Sequence, residues 1–364
     1  MTTTTQATNA PTADNLSATD LEVNQPNNQV RAYAAMQAGG ELERYDFDAG
    51  ELKIDEVEIA VSYCGICHSD LSVIDNDWGM SQYPVIAGHE IVGQIIRMGE
   101  AVKGLQVGQT VGIGWTAESC QHCDFCIDGK ANVCRQSTPT IVGHSGGFAD
   151  KVRAQWQWVI PLPAELDESK AGPLMCGGIT VFRPIIQHQM DASKKVGVIG
   201  IGGLGHMALD FLNAWGCEVT AFSSSPEKYD AIREMGAHHI IDSKDADALK
   251  DAQGSLDLII STVNVALDWN LYLSLLKPEG KLHYVGAVLK PLDIQAFNLI
   301  GGAKSVAGSP TGSAAELRQM VKFAARAGVE PITETYPMSQ INEAMTRMRE
   351  GKARYRIVLE NDFE

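Results

Sequence analysis

The chain has 364 residues, 45% hydrophobic and 20% charged, which is enough for about two domains with sizeable cores. Its net charge of −16, from 29 basic and 45 acidic residues, argues against nucleic acid or an anionic membrane as the main partner, since both require a basic footprint. No apolar run approaches the roughly 18 residues of a membrane span.

Residues 1–29 contain no Lys or Arg and are rich in Thr, Asn, Ala and Gln. They lack the basic start and apolar middle of a secretory signal and the arginines of a transit peptide, so they are expected to form a disordered tail. From Val30 the pattern turns β-rich. Ile54 to Tyr63 alternates with period two, the mark of a half-buried strand, and Ile91 to Met98 and Val107 to Ile113 are further runs. Glycines at 93, 99, 104, 108, 112 and 114 punctuate them, predicting a compact β-barrel-like domain.

This region carries the first chemical signal, Cys64-Gly-Ile-Cys67-His68-Ser69-Asp70 followed by Gly88-His89-Glu90. A catalytic zinc takes three protein ligands and keeps one position open. Cys67 and His89 offer two ligands, and Cys176, in Pro173-Leu-Met-Cys176-Gly-Gly-Ile-Thr180, is the candidate third. The competing reading is structural: a small buried thiol and a satisfied core imidazole.

Cys120-x2-Cys123-x2-Cys126-x7-Cys134 is the second signal, because four thiolates in one loop can close a tetrahedral structural zinc site. An iron–sulfur cluster is the sharpest rival. In the ferredoxin motif, however, the fourth Cys follows after three residues and precedes Pro, whereas here seven intervene and Arg135 follows. Disulfides are the bland alternative. Eight cysteines do not make a disulfide scaffold at this length, and only Cys217 lies apart from metal-type positions, so the expected compartment is the reducing cytoplasm.

Val196-Gly-Val-Ile is a short apolar strand running into Gly200, Gly202, Gly203 and Gly205. Leu204, Met207, Ala208 and Phe211 follow at helical spacing, a strand–turn–helix that places backbone against a pyrophosphate. The next strand, Glu218 to Phe222, ends in Ser223-Ser224-Ser225-Pro226-Glu227-Lys228. An NAD site usually has an acid here; hydroxyls and a lysine suit the 2′-phosphate of NADP. Ser224 with Glu227 also reads as a capping box, with Pro226 in the first turn. Strand patterns recur at His239–Ile241, Leu256–Ile260, Lys281–Gly286 and Ser305–Gly308 between helical stretches, predicting a doubly wound parallel sheet. A helix around Ile341, Ala344, Met345 and Met348 and a strand from Tyr355 to Leu359 return to the first domain. The expected division is residues 30–178 with 312–364 as a catalytic domain and 179–311 as a dinucleotide-binding domain.

From about Arg31 onward the motifs Cys67-His68-Ser69-Asp70, Gly88-His89-Glu90-Ile-Val-Gly93 and Cys176 resemble the zinc-dependent medium-chain alcohol dehydrogenases. The match is strongest to the cinnamyl alcohol dehydrogenase and aldehyde reductase branch. The resemblance implies an α/β protein with a β-rich chaperonin-10-like catalytic domain and a Rossmann domain. It also implies two zinc ions per chain, NADP(H), a small aldehyde or alcohol substrate, and a homodimer. On it, Cys67, His89 and Cys176 hold the catalytic zinc, Glu90 sits behind it as a transient ligand, and Asp70 orients His89. Cys120, Cys123, Cys126 and Cys134 hold the structural zinc. His68 faces the cofactor phosphates, Thr180 and the run from Gly200 through Gly202, Gly203, Leu204 and Gly205 contact the cofactor, and Arg356 (with Arg354 as competitor) binds the pyrophosphate. Ser223, Ser224, Ser225 and Lys228 take the 2′-phosphate, and Thr262, Val263, Val285 and Gly286 pass along the nicotinamide.

The implied reaction has zinc polarising a carbonyl, the reduced nicotinamide delivering hydride, and Ser69 relaying a proton. Two features depart from the branch. The segment after Cys134 is short and lacks the aromatic that narrows the plant pocket, leaving Trp78 and Trp115 as candidates for lining it or for simple core. Ser72 stands where many relatives carry a proton-passing histidine. The rival readings are an NAD-linked alcohol or polyol dehydrogenase of the same fold and a non-catalytic zinc- and nucleotide-binding protein. The serine-rich turn argues against the first, and the intact Cys67, His89 and Cys176 against the second.

Overall fold

The computed structural model describes residues 28–363 and builds them around two sheets. Most of the expected tail lies outside the described residues, but its limit at residue 29 is corrected. Gln29 opens the strand Gln29–Ala35, paired with Leu42–Asp48, and the Asn28 side chain accepts a hydrogen bond from Arg97 at 3.0 Å. Composition could not register a hairpin partner further along the chain.

The first sheet runs Thr333–Pro337, Arg356–Glu360, Glu56–Ile66, Glu90–Met98, Thr110–Ile113, Ile160–Pro161, with Lys151–Gln155 also paired to Glu56–Ile66. Val57, Ile59 and Val61 enter the core as their period-two spacing predicts. The opposite face is buried at Glu56 and Glu58 and only part-exposed at Ala60 and Ser62, drier than the half-buried reading expects. Glu58 is 1% exposed, held by Arg153 at 2.8 Å and Arg97 at 3.3 Å. Two cations neutralise a charge that could not otherwise be buried.

The second sheet is fully parallel, in the order His239–Ile241, Glu218–Phe222, Lys195–Ile199, Leu256–Ser261, Leu276–Tyr284, Ser305–Gly308. Strand order reverses between Lys195–Ile199 and Leu256–Ser261, which opens a crevice at their carboxyl ends. The glycine-rich turn leaves the first of these strands there. Beyond Phe222, the capping box expected of Ser224 and Glu227 does not form. Pro226 takes the first position of the 3-10 turn Pro226–Lys228, so Ser225 becomes the flanking residue, and its N–H donates to Ser223 Oγ at 3.3 Å. A true capping box, absent from the sequence reading, joins Ser313 and Glu316 at the start of the helix Ala314–Ala327.

Phe182, on the helix Gly177–Gln187, is the hub at which three helices pack together. Its ring lies 5.4 Å from Phe211, 5.6 Å from Trp215 and 5.7 Å from Phe323, drawn from two further helices. Phe182 is fully buried, so Phe182→Ala should cost about 3–5 kcal/mol. A chemical denaturation midpoint unchanged from wild type would contradict this.

Candidate active site

The groups singled out from the sequence stand at the ends of regular elements. Cys67 follows the strand Glu56–Ile66 and caps the helix His68–Ile74; Glu90 opens the strand Glu90–Met98; Cys176 caps the helix Gly177–Gln187. Their positions are therefore set by hydrogen-bonded backbone on one side. Ligand atoms of Cys67, His89, Glu90 and Cys176 lie within 4.8 Å of one another, and all four residues are buried.

Asp70 organises this cluster. Its Oδ1 accepts from His89 Nδ1 and from the Gly88 N–H, each at 2.8 Å, and its Oδ2 accepts from the Cys67 N–H at 2.8 Å. The carboxylate fixes the proton on Nδ1 and leaves the Nε2 lone pair facing Cys176 Sγ at 3.2 Å. Burial works against charge on His89, but the Asp70 carboxylate and the Cys67 sulfur together outweigh it and raise the imidazole pKa well above its ordinary value. Cys176 and His89 beside it hold the Cys67 thiol well below the usual range. Two thiols and an imidazole nitrogen converging on one point, with one ring nitrogen oriented by a carboxylate, fit zinc.

Behind the cluster is a buried ion pair. Arg356 donates to Glu90 and, at 3.2 Å, to the Ile66 carbonyl; it is 4% exposed and Glu90 is fully buried. Burial raises the Glu90 carboxyl to about 7 against the pull of Arg356. Glu90 Oε2 has no hydrogen-bond partner, and a Cβ at Gly65 would stand 2.2 Å from it. An orphaned acceptor at a cation-binding cluster fits the same ion. Sequence reasoning gave Glu90 to the metal and Arg356 to the phosphates, but not the contact between them.

Aromatic rings close one side. Trp115 meets His89 edge-on at 5.2 Å, and Trp78 meets Trp115 at 6.0 Å. The Ser69 hydroxyl lies 3.8 Å from Cys67 Sγ, with Ser72 part-buried on the same helix and His68 exposed at its first position.

The second thiol set forms its own group. Sγ–Sγ distances are 3.5 Å for Cys120–Cys134, 3.8 Å for Cys123–Cys134 and 3.9 Å for Cys120–Cys126. Zinc–sulfur bonds of about 2.3 Å in a tetrahedron require edges of about 3.8 Å, so the group fits one zinc. All eight cysteines are free thiols, which removes the disulfide alternative.

The glycine-rich turn lies across the seam. Gly200 has φ +86°, and a Cβ at Gly205 would fall 1.9 Å from the Gly200 carbonyl oxygen, so neither position admits a side chain. Thr262 Oγ1 donates to the carbonyls of Gly200 at 2.6 Å and Ile199 at 3.0 Å, Val263 packs against Gly200, and Val285 and Gly286 both donate N–H groups to Ser261. These four residues gather beside the turn. Leu204 caps the helix Gly205–Trp215 without a side-chain bond, a helix start of the kind that receives an anion, although the His206 N–H is already spent on the Gly202 carbonyl at 3.1 Å. Gly202 is exposed, with no neighbour within 4 Å of its Cβ position. Thr180 is one turn from Cys176, and its N–H donates to the Cys176 carbonyl at 3.0 Å. Ser223 and Ser225 are half-exposed, as is Lys228, and Ser224 is exposed, beyond the adjacent strand. Arg356 rather than Arg354 faces the turn: a Cβ at Gly203 would stand 3.1 Å from its Nη1, whereas Arg354 is exposed.

Residues 53–164 match the alcohol dehydrogenase GroES-like domain family and residues 203–326 the zinc-binding dehydrogenase family. The chain is 52% identical to the aldehyde reductase AdhA of a Synechocystis strain over 91% of its own length and 98% of that protein. A cinnamyl alcohol dehydrogenase structure from Sorghum bicolor superposes with a TM-score of 0.88 at 38% identity, covering 92% of this chain and 99% of the other. CAD from Helicobacter pylori, complexed with NADP(H), gives a TM-score of 0.84 at 31% identity, with 91% and 98% covered.

Removing one partner of a buried ion pair typically costs about 3–5 kcal/mol. Arg356→Met should destabilise the protein by about that much, and adding Glu90→Gln should recover part of it. Additive losses in chemical denaturation would show that the two side chains do not depend on each other.

Proposed function

The chain belongs to the zinc-binding medium-chain alcohol dehydrogenases, and from that premise we propose that it works mainly as an aldehyde reductase driven by NADPH. It interconverts aldehydes and alcohols at the cluster of Cys67, His89 and Cys176. The observation that carries the reading is Arg356, one side chain bonded to Glu90 behind the metal cluster and lying against Gly203 of the dinucleotide turn. The residues that would hold the cofactor and those that would hold the carbonyl-activating ion are thereby joined through one side chain.

When bound, zinc supplies Lewis acidity at the substrate oxygen and NADPH supplies hydride. The remaining work falls to the chain. Asp70 holds His89 in the ligating tautomer. Ser69 gives a proton at the substrate oxygen. With Ser72 at the next turn in place of a titrating group, Ser69 regains its proton from solvent without a histidine. Trp115 and Trp78 shape and dry the space beside His89. Glu90, part of the same cluster and bonded to Arg356 behind it, would offer a reserve ligand.

The Cys120–Cys134 group holds a second, structural zinc, supported by its closed sulfur geometry. The division into 30–178 with 312–364 and 179–311 assigns each sheet to one of these tasks. A homodimer is supported by the edge of Ser305–Gly308, unpaired among the described residues, and by exposed Leu289 (77%), Phe297 (79%) and Ile300 (72%). No helix among the described residues is long and apolar enough to cross a membrane. Six thiols gathered at two metal-type clusters support a cytoplasmic location.

Turnover of a simple aldehyde should be faster with NADPH than with NADH in zinc-loaded protein. Ser223→Asp, which sets a carboxylate where the 2′-phosphate binds, should shift the kcat/KM ratio toward NADH by about ten- to a hundredfold. Equal kcat/KM for both cofactors in the wild type would overturn the NADPH assignment. Ser69→Ala should lower kcat by about 10²–10⁴-fold with NADPH affinity nearly unchanged. Wild-type turnover by that variant across the pH range would place protonation directly on water.

A further inference from the structure

His206 is the second residue of the helix Gly205–Trp215 and is 2% exposed. Both of its ring nitrogens are used. Nδ1 lies 3.0 Å from the Gly202 carbonyl, and Nε2 lies 3.2 Å from the Ile332 N–H. A carbonyl can only accept and an amide N–H only donate, so the ring is neutral with its proton on Nδ1. Burial, assisted by repulsion from Arg356, lowers the imidazole pKa to about 4, so the neutral form persists at ordinary pH. The Tyr355 ring stacks on it at 5.1 Å and 21°.

The partners of His206 belong to opposite sides of the seam. Gly202 is in the dinucleotide turn. Ile332 directly precedes the strand Thr333–Pro337 of the metal-bearing sheet, and its carbonyl accepts from the N–H groups of Tyr355 at 3.1 Å and Arg356 at 3.0 Å. Tyr355 and Arg356 in turn back directly onto Gly203, where a Cβ would meet the Tyr355 carbonyl at 3.4 Å. One imidazole thus ties the turn to the strand pair that ends beside Glu90 and Cys67.

We propose that His206 is a positioning residue, a neutral latch that sets the height of the dinucleotide turn above the metal cluster and so the gap that hydride crosses. This rests on the turn being the cofactor site, as argued above. A packing histidine would affect only stability. A latch also affects the transfer step, because a misplacement of about 1 Å can cost on the order of a hundredfold in rate.

Three variants separate the roles. His206→Gln can keep an acceptor for Ile332, His206→Asn can keep a donor for Gly202, and His206→Phe keeps the ring stack with neither bond. Hydrogen exchange at the Ile332 amide, read on zinc-loaded protein without cofactor, should quicken about tenfold or more in His206→Phe and stay near wild type in His206→Gln. With NADPH deuterated at the transferred position, His206→Phe should lose about ten- to a hundredfold in kcat per folded site and show a larger isotope effect, with His206→Gln partly rescued. If His206→Phe does not fold, His206→Asn takes its place in both measurements. Unchanged Ile332 exchange, or faster exchange with wild-type kcat and isotope effect per folded site, overturns the latch. Failure of the wild type to bind NADPH would fall on the proposed function, and the cofactor-free exchange would still decide whether the tie exists.

Discussion

A dehydrated guanidinium holds the two halves of the site in register. Stripping water from a cation costs several kcal/mol unless a carboxylate and further acceptors replace it, and Arg356 finds Glu90 and the Ile66 carbonyl. Backbone pairing brings them together. Ile357 pairs with Ile66 and Gly65 with Glu90, so Arg356 and Glu90 open strands on either side of the one that delivers Cys67. A one-residue slip in either pairing would turn a charge to the wrong face. Sheet register therefore sets the spacing between metal ligands and dinucleotide turn, and the side chains inherit it.

The same logic separates what the sequence discloses from what it hides. Local spacing is legible: Cys120-x2-Cys123-x2-Cys126 already implies a closed thiolate group, and Gly200 to Gly205 implies a tight turn into a helix. Parallel strands read well because each is a short apolar run between helices, as with Leu256–Ser261 and Ser305–Gly308. Contacts between distant segments do not read. Arg356 and Glu90 are 266 residues apart, and no periodicity links them. The Trp115 contact with His89 is of the same kind: an isolated tryptophan looks like core until the fold sets its edge against a ligand. Glu58 misled for the opposite reason. A charge in an alternating strand reads as solvent-facing, but Arg97 and Arg153 bring it inside. The Ser224 capping box failed on a local competitor, since Pro226 claimed the first position of the turn.

A strongly acidic chain that receives a polyanionic cofactor must make a local exception to its own field. On the reading proposed above it does so largely with neutral groups: the backbone of the glycine turn where the helix Gly205–Trp215 begins, and hydroxyls beyond Phe222. Arg356 adds a cation already half-neutralised by Glu90. Lys228 stands at the surface. Attraction is thereby confined to the crevice, while the net charge of −16 keeps other polyanions away.

The two thiol groups also fix how the molecule ages. Cys67 and Cys176 are 8% and 6% exposed, whereas Cys120, Cys123 and Cys126 stand part-open to solvent. Peroxide and air reach the outer lobe first, because oxidation follows thiolate character and access. The lobe is not a passive appendage: Asn132 within it donates to the Thr311 carbonyl at 2.8 Å, which also accepts from Arg183 on the helix that Cys176 caps. The lobe and the helix that Cys176 caps thus share one acceptor, the Thr311 carbonyl, so disorder in the lobe would remove a bond made beside that helix. An ageing preparation would lose shape in the lobe before its inner thiols had reacted at all.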